Sequence, residues 1–335
     1  MSEASNAIDE KRGNKKGVAI GLGNLAYQFH ILGRIREAEA KLKESAEICV
    51  EIEDEFNEAI AHQEFGRLLG TAGKIGEAMQ ELEKSTGYWE KTGDKQGICL
   101  DETYRALVLL MNAQSKNALD HAKRARGLAD VEKNERDIIR SEWLLGISHL
   151  ALNQLDEAER HFDAALKRCR RINMVDHEPD ILLGIARLNL TVKKDAFKRA
   201  KDLAEEALRI AENSKYRLNL ADIRNFLAEL ELVRLDLVEP QLTYWGEIKG
   251  KRRKPKPDHR EGLDVALKHL RRAAEFEIDR DIWEKELSES EREAIRNCQI
   301  SCDELSNRLT YVYLGACRRT QSLMKIIREF ANGWI

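Results

Sequence analysis

The densest chemistry in this sequence is the run KGKRRKPKP, Lys249–Pro257, which puts six cations into nine residues, with Tyr244 and Trp245 just upstream. Lys249, Lys251, Arg252, Arg253, Lys254 and Lys256 together could neutralise phosphates while an exposed aromatic ring stacks on a base, an arrangement suited to nucleic acid. The same charges suit an acidic protein partner. They also suit a solvated loop kept extended by self-repulsion, with Trp245 packed on the structure beside it. On sequence alone all three readings stand.

Other candidate groups reduce to structure. Cys298 and Cys302 lie one helical turn apart and could offer two thiolates, but a zinc site needs two further ligands, and the nearest histidines, His259 and His269, are remote. Gly73-Lys74-Ile75 resembles the end of a phosphate loop, yet Leu68 stands where the first glycine is needed and Ile75 where Ser or Thr is needed. No His-Glu-x-x-His helix, Gly-x-Ser-x-Gly elbow or Cys-His signature occurs. Most carboxylates sit beside Lys or Arg at helical spacing, as in EAEAKLKES, where such pairs stabilise a helix modestly. No catalytic step, cofactor or metal is therefore expected.

The elements that must position any site announce themselves by repetition. GRIREAEAKLKES at Gly33 returns as GKIGEAMQELEKS at Gly73 and as NQLDEAERHFDAA at Asn153. At this 40-residue interval Ala38, Ala78, Ala118 and Ala158 form one column; Leu42, Leu82, Ala122 and Phe162 a second; Ser45, Ser85, Ala125 and Ala165 a third. Small, large, small at i, i+4 and i+7 marks one helix face. An upstream helix repeats as Leu25-Ala26, Phe65-Gly66 and Leu145-Gly146, and Gly33, Gly73 and Asn153 in between suit a left-handed helix end. Asn14, Asp54, Asp94 and Asn134 are spaced to cap the start of each unit. Each unit is thus a helical hairpin that cannot bury its apolar face alone, so neighbours must stack into a solenoid.

The stretches LAYQFHILGRIREAEAKLKES and FGRLLGTAGKIGEAMQELEKS resemble the tetratricopeptide repeat, with units of about 40 residues rather than the usual 34. The third unit departs by lacking the turn glycine. GDKQG-like turns combined with KYRLNLADIRNFLAELEL look like the arrays appended to STAND-type signalling NTPases, which act there as sensors or scaffolds. The resemblance implies an all-α, right-handed superhelix that binds a protein or peptide along a concave groove lined by first helices. Projecting the pattern puts Tyr27, His30, Gln63, Arg67 and Trp143 in that groove, with Arg67 and Trp143 of the types that carry interface energy. Arg67→Ala is expected to weaken partner binding and leave stability near wild type. Chaperone-adaptor members grip a terminal carboxylate with Lys and Asn; Gly23, Tyr27, Gln63 and Arg67 stand at those places, which disfavours that use. A separate NTPase or protease module is a further partner the resemblance allows.

Along the chain, residues 1–16 overlay the end of a later unit and read as a partial repeat or cap, 17–236 as the array and 237–260 as an inserted loop holding three of the four prolines. Residues 261–335 read as the last hairpin helix and a C-terminal helical cap. There SESEREAI offers capping boxes at Ser288…Glu291 and Ser290…Glu293. Ile295, Cys298, Cys302, Leu305, Leu309, Val312 and Ala316 form a heptad-like seam, either one long closing helix or a prelude to a hairpin starting at Leu314-Gly315. The 335 residues are 42% hydrophobic, 34% charged and only 6% aromatic, a mixture for long amphipathic helices. A net charge of −3 gives no global field for nucleic acid or anionic membrane. Six scattered cysteines fit a reducing cytoplasm, and neither a membrane span nor a secretory signal is found.

Overall fold

The computed structural model describes residues 2–192, 196–251, 259–280, 282–302, 304–305, 309 and 312–331. Arg252, Arg253, Lys254 and Lys256 of the basic run lie outside the described residues. The fold is an all-α solenoid. α1 (Ser2–Lys11) precedes antiparallel pairs α2 (Lys15–Ile31) with α3 (Ile35–Glu51), α4 (Glu55–Thr71) with α5 (Ile75–Thr92) and α6 (Lys95–Met111) with α7 (Ser115–Glu132). The pairs continue with α8 (Glu135–Ala151) and α9 (Leu155–Arg171), α10 (Glu178–Val192) and α11 (Phe197–Ser214), then α12 (Arg217–Arg234) and α13 (Arg260–Phe276). A π-helical turn (Ile282–Glu286), α14 (Glu289–Arg296) and α15 (Leu314–Ala331) finish the chain, α15 packing on α12 and α13.

The repeat columns account for the packing. Ala38, Ala78, Ala118 and Ala158 are all fully buried, as are Leu82, Ala122 and Phe162, so each second helix lies close against its own partner and the next unit. A side chain larger than alanine in the first column would force those helices apart. The cap column works as spaced: the side chains of Asn14, Asp54, Asp94 and Asn134 accept from the backbone N–H groups of Gly17, Asn57, Gly97 and Arg136 at 3.1, 3.2, 2.9 and 3.1 Å. The hairpin turns are left-handed at Gly33, Gly73, Ala113 and Asn153, with φ of 70, 76, 57 and 59°.

The C-terminal seam does not form one long helix. α14 stops at Arg296, Cys298 takes φ 47°, and the next long helix begins only at Leu314. The capping box at Ser288 and Glu291 is present and starts α14. Apolar seam residues such as Ile295, Cys302, Leu305 and Val312 are nonetheless buried, in a cluster shared with Trp283 and Leu314. The heptad spacing reports burial here, although the helix is interrupted after Arg296.

Among the described residues, no helix is long and apolar enough to cross a membrane and no group of three or more His, Cys, Asp or Glu is placed to hold a metal ion. All six cysteines are free thiols.

Candidate functional site

The first helices of successive hairpins turn their inner faces to a common concavity that is closed rather than open. The turn after α2 meets the end of the array: Arg280 N–H donates to the Gly33 carbonyl at 2.8 Å, and Arg36 N–H to Asp279 Oδ2 at 2.9 Å. Leu218 of α12 packs against the cluster of Leu25, Phe29 and Leu42. A methyl group added at Gly33 would lie 2.4 Å from Arg217 Cδ, and one at Gly73 2.5 Å from Leu314 Cδ2, so both glycines allow close approach as well as the turn.

Inside is a cavity of ≈ 140 Å³. Tyr27, His30, Arg67 and Trp143, four of the five residues projected into a groove, line it. Gln63 does not. Although one helical turn from Arg67, it is buried between units, where its amide donates to Asp101 Oδ1 at 2.8 Å and to the Gly97 carbonyl at 3.0 Å. Asp101 is fully buried and also accepts from Ser85 and Thr86, so Gln63 satisfies a neighbouring helix instead of a ligand.

Arg67 is not a free grip. It pairs with Glu64 at 2.6 Å and lies 4.9 Å from the Tyr27 ring centroid and 5.6 Å from that of Tyr104, whose hydroxyl donates to Glu64 at 2.7 Å. Arg67→Ala is therefore destabilising, contrary to the expectation from sequence: truncation would leave Glu64 largely buried without its counter-charge. His30 is buried, with Nε2 3.1 Å from the Thr71 hydroxyl, and burial followed by the Arg67 charge pushes its pKa well down, so it sits neutral.

The opposite wall holds groups the projection missed: Arg140, Asp176, His177, Asp180, Asn219 and Asp222. Tyr27 donates to Asp176 at 3.2 Å across the concavity. Arg140 is held by Asp137 at 3.1 Å and donates to His177 Nε2 at 3.2 Å. Asp180 accepts from Asn219 at 2.6 Å, and Asp222 Oδ2 from Tyr313 at 2.7 Å and from Trp245 Nε1 at 3.4 Å. Among the described residues neither carboxyl pairs with a cation, and Asp222 Oδ1 is buried with no hydrogen-bond partner. Burial, then the Asp222 charge, raises Asp180 to about 8; burial likewise raises Asp222 to about 7 against the bonds from Tyr313 and Trp245.

Trp245, close to the basic run, is buried in this wall, and Tyr244 is buried beside it with its hydroxyl donating to the Asp180 carbonyl at 3.2 Å, neither displayed to solvent. A buried ionic cluster straps them in. Arg187 pairs with Glu229 at 2.9 Å and donates to the Gln241 carbonyl at 3.2 Å, while Arg319 donates to the Thr243 and Trp245 carbonyls at 2.8 and 3.1 Å. The aromatic step of a base-stacking loop is thus absent.

A sequence signal for the missed wall existed. Counted from the left-handed turn residues Gly93, Lys133, Asn173 and Lys215, the same position holds Leu100, Arg140, Asp180 and, after a unit two residues longer, Asp222. Charge where the earlier units hold Ile20, Ile60 and Leu100 is the departure that marks them. Tyr313 and Trp245 carry no such mark, because they reach the cavity from outside the repeat.

Residues 137–213 match the tetratricopeptide repeat family. Similar solved structures cover nearly the whole chain. A Rap protein complexed with Competence and Sporulation Factor aligns with TM-score 0.56 at 15% identity, over 99% of this chain and 82% of that one. Aspartyl phosphate phosphatase F from Bacillus subtilis aligns with TM-score 0.55 at 12% identity, over 98% and 75%. The apo form of RapI gives 0.52 at 12%, over 94% and 98%. No curated protein matches in sequence. The chain thus carries tetratricopeptide repeats over residues 137–213 and shares its solenoid fold with these structures along nearly its whole length.

Proposed function

We propose that this protein is a non-catalytic scaffold or sensor whose concave cavity receives a short peptide or an extended protein segment bearing a cationic group. The observation that carries this reading is the pair Asp180 and Asp222: two carboxyls in an aromatic-walled cavity, one with an unpartnered buried oxygen and neither with a cation. A buried acceptor without a partner costs free energy until something donates to it. An ammonium or guanidinium group meets that need, and Tyr216, Trp143, Trp245 and Tyr313 supply ring faces that attract cations. Arg67 lies on the far side and is already neutralised by Glu64, so it orients Tyr27 and Tyr104 more than it attracts an anion. The likeness to a Rap protein solved with a bound factor supports a ligand in this fold, at the level of the fold alone. The likeness to arrays appended to STAND-type NTPases rests on two sequence stretches and adds no contact.

The test is selection of a random hexapeptide library on the purified protein, followed by calorimetry with the enriched peptides. Lys or Arg should be enriched, and Asp180→Asn combined with Asp222→Asn should weaken binding by tenfold or more, on the order of the loss of one charge-assisted bond. Enrichment of uncharged or acidic peptides, or binding indifferent to the double variant, would remove the basis for this assignment.

A further inference from the structure

A second, separate cavity lies at the C-terminal end, ≈ 850 Å³ in volume, between the strand-like loop 247–250, the segment 298–302 and α15. Lys249, Arg318, Lys325 and Arg328 line it, against two carboxylates, Glu247 and Glu329. The walls are fixed. Ser322 Oγ accepts from Ile248 N–H at 2.8 Å and donates to the Ile248 carbonyl at 2.7 Å, tying the loop to α15. Arg328 donates to the Cys298 carbonyl at 3.3 Å, which holds its guanidinium at the rim. Lys249 makes no ion pair among the described residues, and Lys325 reaches only Glu329, at 3.9 Å, with its side chain 77% exposed. Lys249 and Lys325 are therefore available in a preformed groove, with Arg328 held beside them.

Three anionic partners could use it, and the structure separates them. Single-stranded nucleic acid gains affinity from ring faces that stack on its bases, but Tyr244 and Trp245, the aromatics nearest the basic run, are buried. A continuous phosphate backbone would also pass Glu247 and Glu329, whereas an acidic peptide carries separate carboxylates that can pair with cations on either side of them. The exposed amide of Gln299 offers a neutral donor and acceptor of the kind that reads a peptide backbone. A solvated loop with no partner explains neither the groove nor its clamp. We infer that this groove docks an acidic segment of a partner protein, through Lys249, Lys325 and Arg328.

The probe is a fluorescein-labelled decapeptide with Glu at every third position among Ser and Gly, titrated by anisotropy at about 0.15 M salt, where exposed charges are screened beyond about 8 Å. Binding is expected, and Lys249→Glu with Lys325→Glu and Arg328→Glu should weaken it by about tenfold or more. A reversal of equal charge at Lys116 and Lys123 of α7 and Lys133 just after it should leave it within about twofold, since charges at a distance are screened. Asp180→Asn/Asp222→Asn should not affect it, which separates this groove from the concave cavity. Thermal melts of both triple variants check that each is folded. The inference fails if the peptide does not bind, if both triple variants bind it equally well, or if a labelled decauridylate binds more tightly than the peptide.

Discussion

A carboxyl walled in by aromatic rings, bonded to hydroxyl and indole donors but to no cation, keeps its proton to higher pH than one in water. Asp222, with its pKa raised to about 7 first by burial, is such a group. The sign follows from proton uptake: the folded state holds the proton more tightly than the unfolded chain, so Asp222 stabilises the fold fully below its unfolded value of 3.8, and this advantage disappears as pH rises towards 7. Asp222→Asn cannot ionise, so its stability relative to wild type should climb from pH 4 to pH 7, by up to about 1.4 kcal/mol per pH unit, and level off above, with the melting temperature following. Melts of both proteins across that range check it; a constant difference would mean Asp222 does not titrate as its burial requires. Arg67 behaves oppositely. Removing it strands Glu64, and Arg67→Ala should cost about 3 kcal/mol, of which Glu64→Gln in the same chain should recover a substantial part. Denaturant titration of the single and double variants measures that recovery, which a purely ligand-binding arginine would not show.

At the scale of the helical hairpin, packing was more legible than function. Small residues every 40 positions mark helix contacts whatever else the unit does, and the alanine columns are buried accordingly. Interactions that keep their place while changing their residues are harder to read. His62–Glu81, His121–Glu102 and His161–Glu142 each join Nδ1 to a carboxylate at 2.6 Å across 19 residues. The same two columns recur, but histidine stands on the first helix in the earliest pair and on the second helix in the next two, so neither column shows a consistent type. The cavity was half legible for the same reason: residues on the first helices project from the repeat, whereas Trp245 and Tyr313 arrive from segments with no period. The third hairpin turn gives a direct test of what glycine contributes. Ala113 takes φ 57° in a column otherwise held by Gly33, Gly73 and Asn153. A left-handed alanine costs roughly 1–2 kcal/mol, partly offset by the greater chain entropy glycine gives the unfolded state. Ala113→Gly should therefore stabilise the protein by about 0.5–1 kcal/mol in a urea titration, and a loss of stability would show that the methyl group packs usefully.

An open solenoid transmits strain only between neighbouring units, because each touches only the next. This chain closes on itself, and that changes what a distant substitution does. Arg217 at the start of α12 lies against Gly33, donates to the Ile278 carbonyl at 3.4 Å and sits 5.2 Å from the Phe276 ring, while Leu218 next to it packs on the first hairpin. Its partly exposed surroundings are shared by the first turn and the segment after α13, so one side chain supports both ends of the array. Arg217→Ala should then raise amide exchange in α2 and α3, some 180 residues earlier in sequence, as well as in α12 and α13. The intervening α6–α9 should change little, since their contacts are local. Exchange confined to α12 and α13 would mean that the ends touch without supporting one another, and the concavity would then open freely. Coordinated loosening at both ends would instead make this seam the place where the cavity widens to admit a ligand larger than its closed volume.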